Sequence, residues 1–451
     1  MPKQPVAAVI LAAGMGTRMK SDLPKVLHEV GGKPLVGHAL ASVQGLDPQR
    51  IAVVVGPETD AVAKAVAPVP TTVQVDRLGT ADALKQARDL LVGFDEGTVV
   101  VSFGDSPFIR TETVARMVAA REEGAHVVVL GFEPEDPAAY GRLVTDADGG
   151  LEAIVEFKDA DAATRAIRLC NSGVMAISAA HLFALVDRIG NDNAKGEYYL
   201  TDIVAVARGD GLTCRYILAE ESELMGINSR TDLAAAEAFW QDRARRAAMD
   251  GGATLRDPAS TFFSWDTVLG RDVVVEPNVV FGPGVTVEDG VTIKAFSHFE
   301  GCILRAGATV GPFARIRPGA DIGEGAKIGN FVEVKNAVFA KGAKANHLSY
   351  IGDADVGAAA NIGAGTITCN YDGYLKHRTK IGEEAFIGSN SSLVAPVSIG
   401  DRANVGAGST ITKDVAADAL AVARGEQRVL EGVAAKLRAR LKAAKAALKK
   451  S

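Results

Sequence analysis

The chain has 451 residues, 47% of them hydrophobic and 23% charged, with a formal net charge of −6. This composition excludes a disordered chain and supplies material for more than one core, while the acidic balance argues against duplex nucleic acid as a partner. The four cysteines, Cys170, Cys214, Cys302 and Cys369, form no Cys-x-x-Cys pair, which disfavours a disulfide framework or structural zinc site and fits a reducing compartment.

The apolar run from Val6 to Ala13 is too short to span a bilayer and leads straight into a Gly-rich loop, so it is read as the buried first strand of a cytoplasmic protein with no membrane partner. Further short buried strands are predicted at Ile51–Val55, Thr98–Ser102, His126–Leu130 and Val174–Ile177, with helical spacing at Ala81–Leu91 and Thr111–Glu122. Such alternation predicts a mostly parallel α/β sheet whose ligands gather at the carboxyl ends of its strands. From Asp232 to Asp250 an Ala-rich, charged stretch without Gly or Pro predicts one exposed helix, stopped by Gly251 and Gly252, and this is a natural linker.

The second half repeats with a period of six. Val273, Val279, Val285 and Val291 are so spaced, as are Val310, Ile316, Ile322, Ile328 and Val334, and again Ile381, Ile387, Leu393, Ile399, Val405 and Ile411. Residues 270–408 hold 22 of the 48 glycines, which places Gly at the corners between short strands. Each strand contributes one inward aliphatic, the pattern of a parallel β-helix. The hexads break at Lys335–Tyr350 and at Cys369–Lys380, both expected to be loops. From Lys436 onward the tail has seven Lys or Arg and no acid, and it is read as a solvated segment.

Chemistry-bearing residues cluster in both halves. Leu11–Met19 reads LAAGMGTRM and is followed by Pro24 and Lys25. Backbone N–H groups of such a turn approach phosphate oxygens, and Arg18 and Lys25 add two cations. The loop lacks the third Gly of a dinucleotide fingerprint and the Gly-Lys-Ser/Thr of a Walker loop. Gln74 offers an amide to a base edge, and Gly79 and Thr80 stand at a helix start, where Thr80 equally suits an N-cap. Asp105 lies just past an apolar strand, placed to hold a divalent cation or simply to shape a turn.

Together these motifs resemble the sugar-1-phosphate nucleotidyltransferases. YGR at Tyr140–Arg142, VEFKDA at Val155–Ala160, NSGVM at Asn171–Met175, GEYYLTD at Gly196–Asp202 and GINSR at Gly226–Arg230 extend the match. The resemblance implies that Leu11, Ala12, Ala13, Gly14, Lys25, Gln74, Gly79 and Thr80 hold a uridine nucleotide. It also implies that Gly141, Glu156 and Asn171 contact N-acetylglucosamine, and that Asp105 and Asn228 bind Mg²⁺. Phe103 stands where Tyr is frequent in the family, and Asp82 where His is frequent.

In the second half, FARIRPG (Phe313–Gly319), NFVEVKN (Asn330–Asn336), KANHLSYIGD (Lys344–Asp353) and NIGAGTITCNYDG (Asn361–Gly373) bring cations, amides and one His to the repeat breaks. Hexads alone fit an acyltransferase or a scaffold. These runs, with the amino-terminal signature, resemble the family of bacterial bifunctional N-acetylglucosamine-1-phosphate uridylyltransferases and glucosamine-1-phosphate N-acetyltransferases. The resemblance implies an α/β nucleotidyltransferase domain with a Rossmann-like mixed sheet (1–230), a linker helix (231–251) and a left-handed parallel β-helix with the basic tail (252–451). It implies a homotrimer that binds acetyl-coenzyme A between neighbouring subunits. Arg317 and Lys335 would hold the sugar phosphate, and Tyr350, Asn361 and Asn370 the sugar. Tyr371, Ala364, Ser389, Ala407 and Arg424 lie on the acetyl-coenzyme A side. His347 is the candidate general base that takes the proton of the glucosamine ammonium. The implied product is UDP-N-acetylglucosamine, a precursor of envelope polysaccharide, made from acetyl-coenzyme A, glucosamine 1-phosphate and UTP.

Overall fold

The computed structural model describes residues 4–57, 60–137 and 139–448, so Lys449 and Lys450 of the basic tail lie outside the described residues. The chain divides into two compact units, 1–244 and 245–451.

In the first unit the strand order is Cys214–Leu218, Val127–Phe132, Cys170–Ser178, Thr98–Phe103, Val6–Ala12, Arg50–Val55, Thr71–Val73. All neighbours run parallel except Cys170–Ser178, which is antiparallel to both of its neighbours. The strands Arg142–Thr145 and Leu151–Val155 extend the sheet beside it. Continuous apolarity in Val6–Ala12 follows from burial on both faces: Ala7, Val9 and Leu11 enter one core, and Val6, Ala8, Ile10 and Ala12 the other. The predicted helix at 81–91 is divided into an α-helix, Thr80–Gln86, and a 3₁₀ turn, Arg88–Leu91. Thr80 is no N-cap: its hydroxyl accepts the Leu200 N–H at 2.9 Å, while Gly79 occupies the cap position.

The helix Arg230–Asp250 begins in a reciprocal cap. Asp232 Oδ2 accepts the N–H groups of Asn228 (3.0 Å) and Ser229 (2.9 Å), and Ser229 Oγ accepts that of Asp232 (3.2 Å). Burial pushes the Asp232 carboxyl up, but these bonds outweigh it and leave the pKa below its ordinary value. The expectation of a helix exposed along its length is corrected here. Leu233, Ala236, Phe239 and Trp240 pack on Val30, Leu35, Phe108 and Ile227. A side chain on Gly31 would meet the Trp240 ring at 2.8 Å. The helix closes as Gly251 N–H and Ala253 N–H reach back to Ala247 and Ala248, with Gly252 at φ +99°.

The second unit is a left-handed β-helix of hexapeptide repeats. One face is a ten-stranded parallel sheet, and a fifteen-stranded sheet forms the others. The hexad aliphatics point inward and are buried throughout, as in Val273, Ile316, Ile387 and Val405. Two expectations need correction. Lys335–Tyr350 is not a loop: Glu333–Phe339, Lys344–His347 and Tyr350–Val356 are strands in register with their neighbours. That coil has one residue fewer than three full hexads, and Ala345 takes the inward place below Ile328. The break at Cys369–Lys380 does leave the coil, in an exposed excursion pinned by a Tyr371–Lys376 bridge. Nor are all corners glycine. Phe296, Phe313 and Phe331 adopt positive φ in successive coils, and their exposed rings stack at 4.9 and 5.0 Å. The tail forms the helix Val433–Leu448, with no buried side chain. Among the described residues no helix is long and apolar enough to cross a membrane.

Candidate functional site

The first unit holds a cavity of about 340 Å³ at the carboxyl ends of its strands. Leu11, Ala12, Ala13, Gly14, Lys25, Gln74, Gly79, Thr80, Asp105 and Glu156, from motifs scattered across the sequence, all line it. A second cavity of about 220 Å³ shares Thr80, Phe103, Glu156 and Thr201 with the first and adds Gly141 and Asn171. The Lys25 ammonium bonds to the Asp105 carboxylate and, at 3.1 Å, to Asn228 Oδ1. Asp105 follows the strand Thr98–Phe103, and Asn228 is fixed by the cap of the long helix. Strand end and helix start thus aim two oxygen donors at one positive charge. Arg18, on the 3₁₀ turn Thr17–Met19, is exposed and is not part of the lining of either cavity.

Gln74 is buried, and its amide nitrogen donates to Gly79 O (2.9 Å) and Asp82 Oδ2 (2.7 Å). Gly79 must be glycine, because φ is +121° and a Cβ would stand 2.5 Å from Tyr198 O. Asn171 Oδ1 accepts the Gly173 N–H at 2.9 Å, and the Asn171 N–H donates to Gly141 O at 2.9 Å, so Asn171 and Gly141 are tied together.

In the second unit the strand register sorts the candidates. Arg317 and Lys335 sit at equivalent positions of adjacent coils, and Arg317 pairs with Glu333 Oε1 at 2.7 Å. The Lys335 ammonium stands beside that of Lys376 and lowers its pKa. Asn370 donates to the buried Asp353 carboxylate and, at 3.5 Å, to the Tyr350 hydroxyl, while Asn336 Nδ2 holds the other Asp353 oxygen. His347 is exposed, and its Nδ1 meets Asn330 Oδ1 at 2.6 Å; an amide oxygen accepts, which places the proton on Nδ1 and the lone pair on Nε2.

Lys344, Asn361, Phe386 and Asn404 are register partners in successive coils. Three residues beyond each come His347, Ala364, Ser389 and Ala407, forming one column along an edge of the prism. Arg424 lies at its end, donating to Ala407 O at 2.6 Å. Asn361 sits one coil from His347, at the strand start, and Tyr371 is exposed on the excursion with its hydroxyl on Gly373 O.

The model of the MobA-like NTP transferase domain matches residues 8–183. That of the bacterial transferase hexapeptide (six repeats) matches 266–301, 301–336 and 378–413. Across nearly its whole length the chain is similar to curated proteins named bifunctional protein GlmU. The one from Paramagnetospirillum magneticum is 60% identical over 99% of both chains. That from Rhodospirillum rubrum is 62% identical over 97% of this chain and 98% of its own. That from Paracoccus denitrificans is 56% identical, with the same coverage.

The chain belongs to the bifunctional GlmU family.

It is therefore a uridylyltransferase and a glucosamine-1-phosphate acetyltransferase in one polypeptide. Beside the GlmU-family motifs read from the sequence, the structure adds lining residues that the reading missed. Arg77 lines the first cavity, with its Nε on Ala13 O at 3.0 Å, as do Lys195, Glu197, Tyr199 and Thr201. The motif around Gly196–Asp202 was visible, but nothing in it marked which side chains turn inward. In the second unit Asn330, Asp353 and Lys376 were missed. Asn330 and Asp353 meet their partners on adjacent coils, and Lys376 reaches Lys335 from the excursion, so sequence distance hides all three.

Burial raises the pKa of the Glu156 carboxyl, against the opposing charge of Lys195. A folded pKa above the unfolded value gives stability that is present below the unfolded pKa, about 4.3, and lost as pH rises through the folded value. Ionised Glu156 thus costs stability at neutral pH. Glu156→Gln is expected to raise the melting midpoint of the first unit by roughly 1–3 °C at pH 7 and to leave it unchanged near pH 4. The KM for the sugar phosphate should rise. Calorimetry at the two pH values checks this, and coincident melts at pH 7 would refute it.

Proposed function

We propose that the first unit uses its paired cavities to join UTP and N-acetylglucosamine 1-phosphate, and that the β-helix edge column carries the acetyl transfer. The convergence of Lys25, Asp105 and Asn228 on the rim of a cavity that also holds Gln74 and the Gly-rich turn supports the first assignment most strongly. The Leu11–Gly14 backbone and Lys25 cradle the triphosphate, and Gln74, Gly79 and Thr80 hold the nucleoside. Gly141, Glu156 and Asn171 hold the sugar. A phosphate oxygen of N-acetylglucosamine 1-phosphate attacks the α-phosphorus of UTP in line, and the bond to the β-phosphate breaks, releasing pyrophosphate. Positioning and charge neutralisation supply the rate, with Arg18 closing over the phosphates from the exposed turn.

Mg²⁺ fits the donor set. Asp105 and Asn228 present hard oxygens to a shared positive charge, now the Lys25 ammonium. Such an ion would take one carboxylate and one amide oxygen here and keep water and substrate phosphates as its other ligands. When bound, it neutralises charge on the phosphates.

In the second unit Arg317 and Lys335, with Lys376 crowding the same point, await the phosphate of glucosamine 1-phosphate. Tyr350, Asn361 and Asn370 face the sugar. His347 Nε2 takes a proton from the ammonium, and the free amine attacks the thioester carbonyl. The carbon–sulfur bond breaks, the nitrogen's second proton passes to the departing sulfur, and coenzyme A leaves as the thiol. The small residues Ala364, Ser389 and Ala407 make a shallow track for its arm, with Tyr371 and Arg424 alongside. We assign the chain to the cytoplasm as a homotrimer, its flat prism faces giving the packing surface.

Purified protein given UTP, N-acetylglucosamine 1-phosphate and Mg²⁺ should release pyrophosphate. Given acetyl-coenzyme A and glucosamine 1-phosphate it should release a free thiol. Absence of either product refutes the corresponding half. We take the functional boundaries as 1–230, a linker helix 231–251, and 252–451. A chain truncated after Asp250 should keep uridylyl transfer and lose acetyl transfer, because the two residue sets lie on opposite sides of the helix. Loss of both from a soluble, cooperatively melting fragment would show that the sites depend on each other.

A further inference from the structure

Asp82, on the helix Thr80–Gln86, is not itself part of the lining of either cavity. Its carboxylate nevertheless governs a residue that is. The Gln74 side-chain terminus faces two groups that can only accept: the Gly79 carbonyl at 2.9 Å and Asp82 Oδ2 at 2.7 Å. An amide can satisfy two acceptors only with its NH₂, so the chemistry fixes which end of Gln74 points where. The Gly79 oxygen also accepts the Ala83 N–H at 3.1 Å, so its lone pairs are engaged and it cannot adapt. Gln86 Nε2 donates to Asp82 Oδ1 at 3.2 Å and to the Asp82 backbone oxygen at 3.3 Å, which holds the carboxylate in place. The Gln74 carbonyl oxygen is left as the group turned to the cavity, and nothing among the described residues donates to it.

We propose that Asp82 is a positioning residue that locks the Gln74 amide with its carbonyl toward the cavity, and thereby selects a pyrimidine that donates a ring N–H over one that accepts there. Uracil has N3–H in the middle of its pairing edge. Cytosine has a bare N3. A locked carbonyl completes a hydrogen bond with the first and meets a lone pair with the second. Turning the amide to suit cytosine would set the Gln74 oxygen against two acceptors. The inference rests on the assignment of Gln74 to the nucleotide base.

The test is kcat/KM for UTP and for CTP on the full-length protein, with N-acetylglucosamine 1-phosphate and Mg²⁺, in wild type, Asp82→Ala, Asp82→Asn and Gln74→Leu. Asp82→Ala should lower the UTP-to-CTP ratio about tenfold, the scale of one lost charge-assisted hydrogen bond. Asp82→Asn, whose carbonyl still accepts from Gln74, should restore most of the ratio. Equal losses for both nucleotides in Asp82→Ala would mean that Asp82 only supports its helix, and the proposal falls. If Gln74→Leu collapses the ratio while Asp82→Ala leaves it intact, Gln74 reads the base but Asp82 does not position it. If Gln74→Leu leaves the ratio intact, the base assignment itself is wrong. Should Asp82→Ala not melt cooperatively, Asp82→Ser gives the same readout, because its hydroxyl, one atom closer to the backbone, does not reach Gln74.

Discussion

Replacing His347 with Ala lowers acetyl-transfer turnover by roughly 10²–10⁴-fold, the range for loss of a general base, and leaves uridylyl transfer unchanged. The substrate amine is largely protonated at neutral pH, so a proton acceptor must stand within reach. Asn330 Oδ1 accepts the Nδ1–H hydrogen bond, which leaves the lone pair on Nε2. The residual rate of the variant should climb with pH as solution supplies free amine. His347→Asn keeps hydrogen-bonding capacity without basicity. If it retains near-normal turnover and the wild-type pH profile, His347 only orders its corner. Asn330→Ala should cost less than His347→Ala, because it frees the ring's orientation while leaving the base present.

Replacing Asp105 with Asn lowers uridylyl transfer by roughly 10²–10³-fold, the cost of removing one strong electrostatic partner from a transition state, and spares acetylation. The substitution keeps the shape of the side chain and removes its charge. Asn228 is an amide and cannot replace that charge, and the Lys25 ammonium loses the carboxylate it now bonds. Raising Mg²⁺ should recover part of the rate if Asp105 holds the ion. A rate that is unchanged at limiting Mg²⁺ would exclude Asp105 as a ligand.

The sequence disclosed most where one physical demand repeats. An inward aliphatic every sixth residue has a single architectural meaning, so the β-helix was readable between Val273 and Ile411 except where a coil is one residue short, where alanine takes the inward place, or where the chain leaves the coil. Ala345 fills the inward place in a shortened coil, and its small size made Lys335–Tyr350 look like a loop. In the first unit the Gly-rich turn and its cations were legible because backbone approach to phosphate restricts residue choice. The contribution of Arg77 was not, because it depends on how one side chain folds back onto Ala13 O. Asp82, visible only as a departure from habit, acquires a role once Gln74 is seen beside it. The linker helix was legible in composition, but its first turns carry Phe239 and Trp240 into a cluster with Phe108 and Leu35, and no periodicity announced that contact.

The edge column from His347 to Ala407 also sets a limit on how this enzyme can change. Every residue in it belongs to a different turn of the solenoid, and neighbouring turns are separated by about 4.8 Å whatever their side chains. The distance from His347 to Arg424 is thus counted in whole turns and cannot be adjusted by a single substitution. A duplicated turn between Ala364 and Ser389 would lengthen the column by one such step and, if the column carries the acyl donor as proposed, move Arg424 away from a thioester of ordinary length. Selection for a different acyl carrier would act on this fold as on a ruler, by gain or loss of complete graduations.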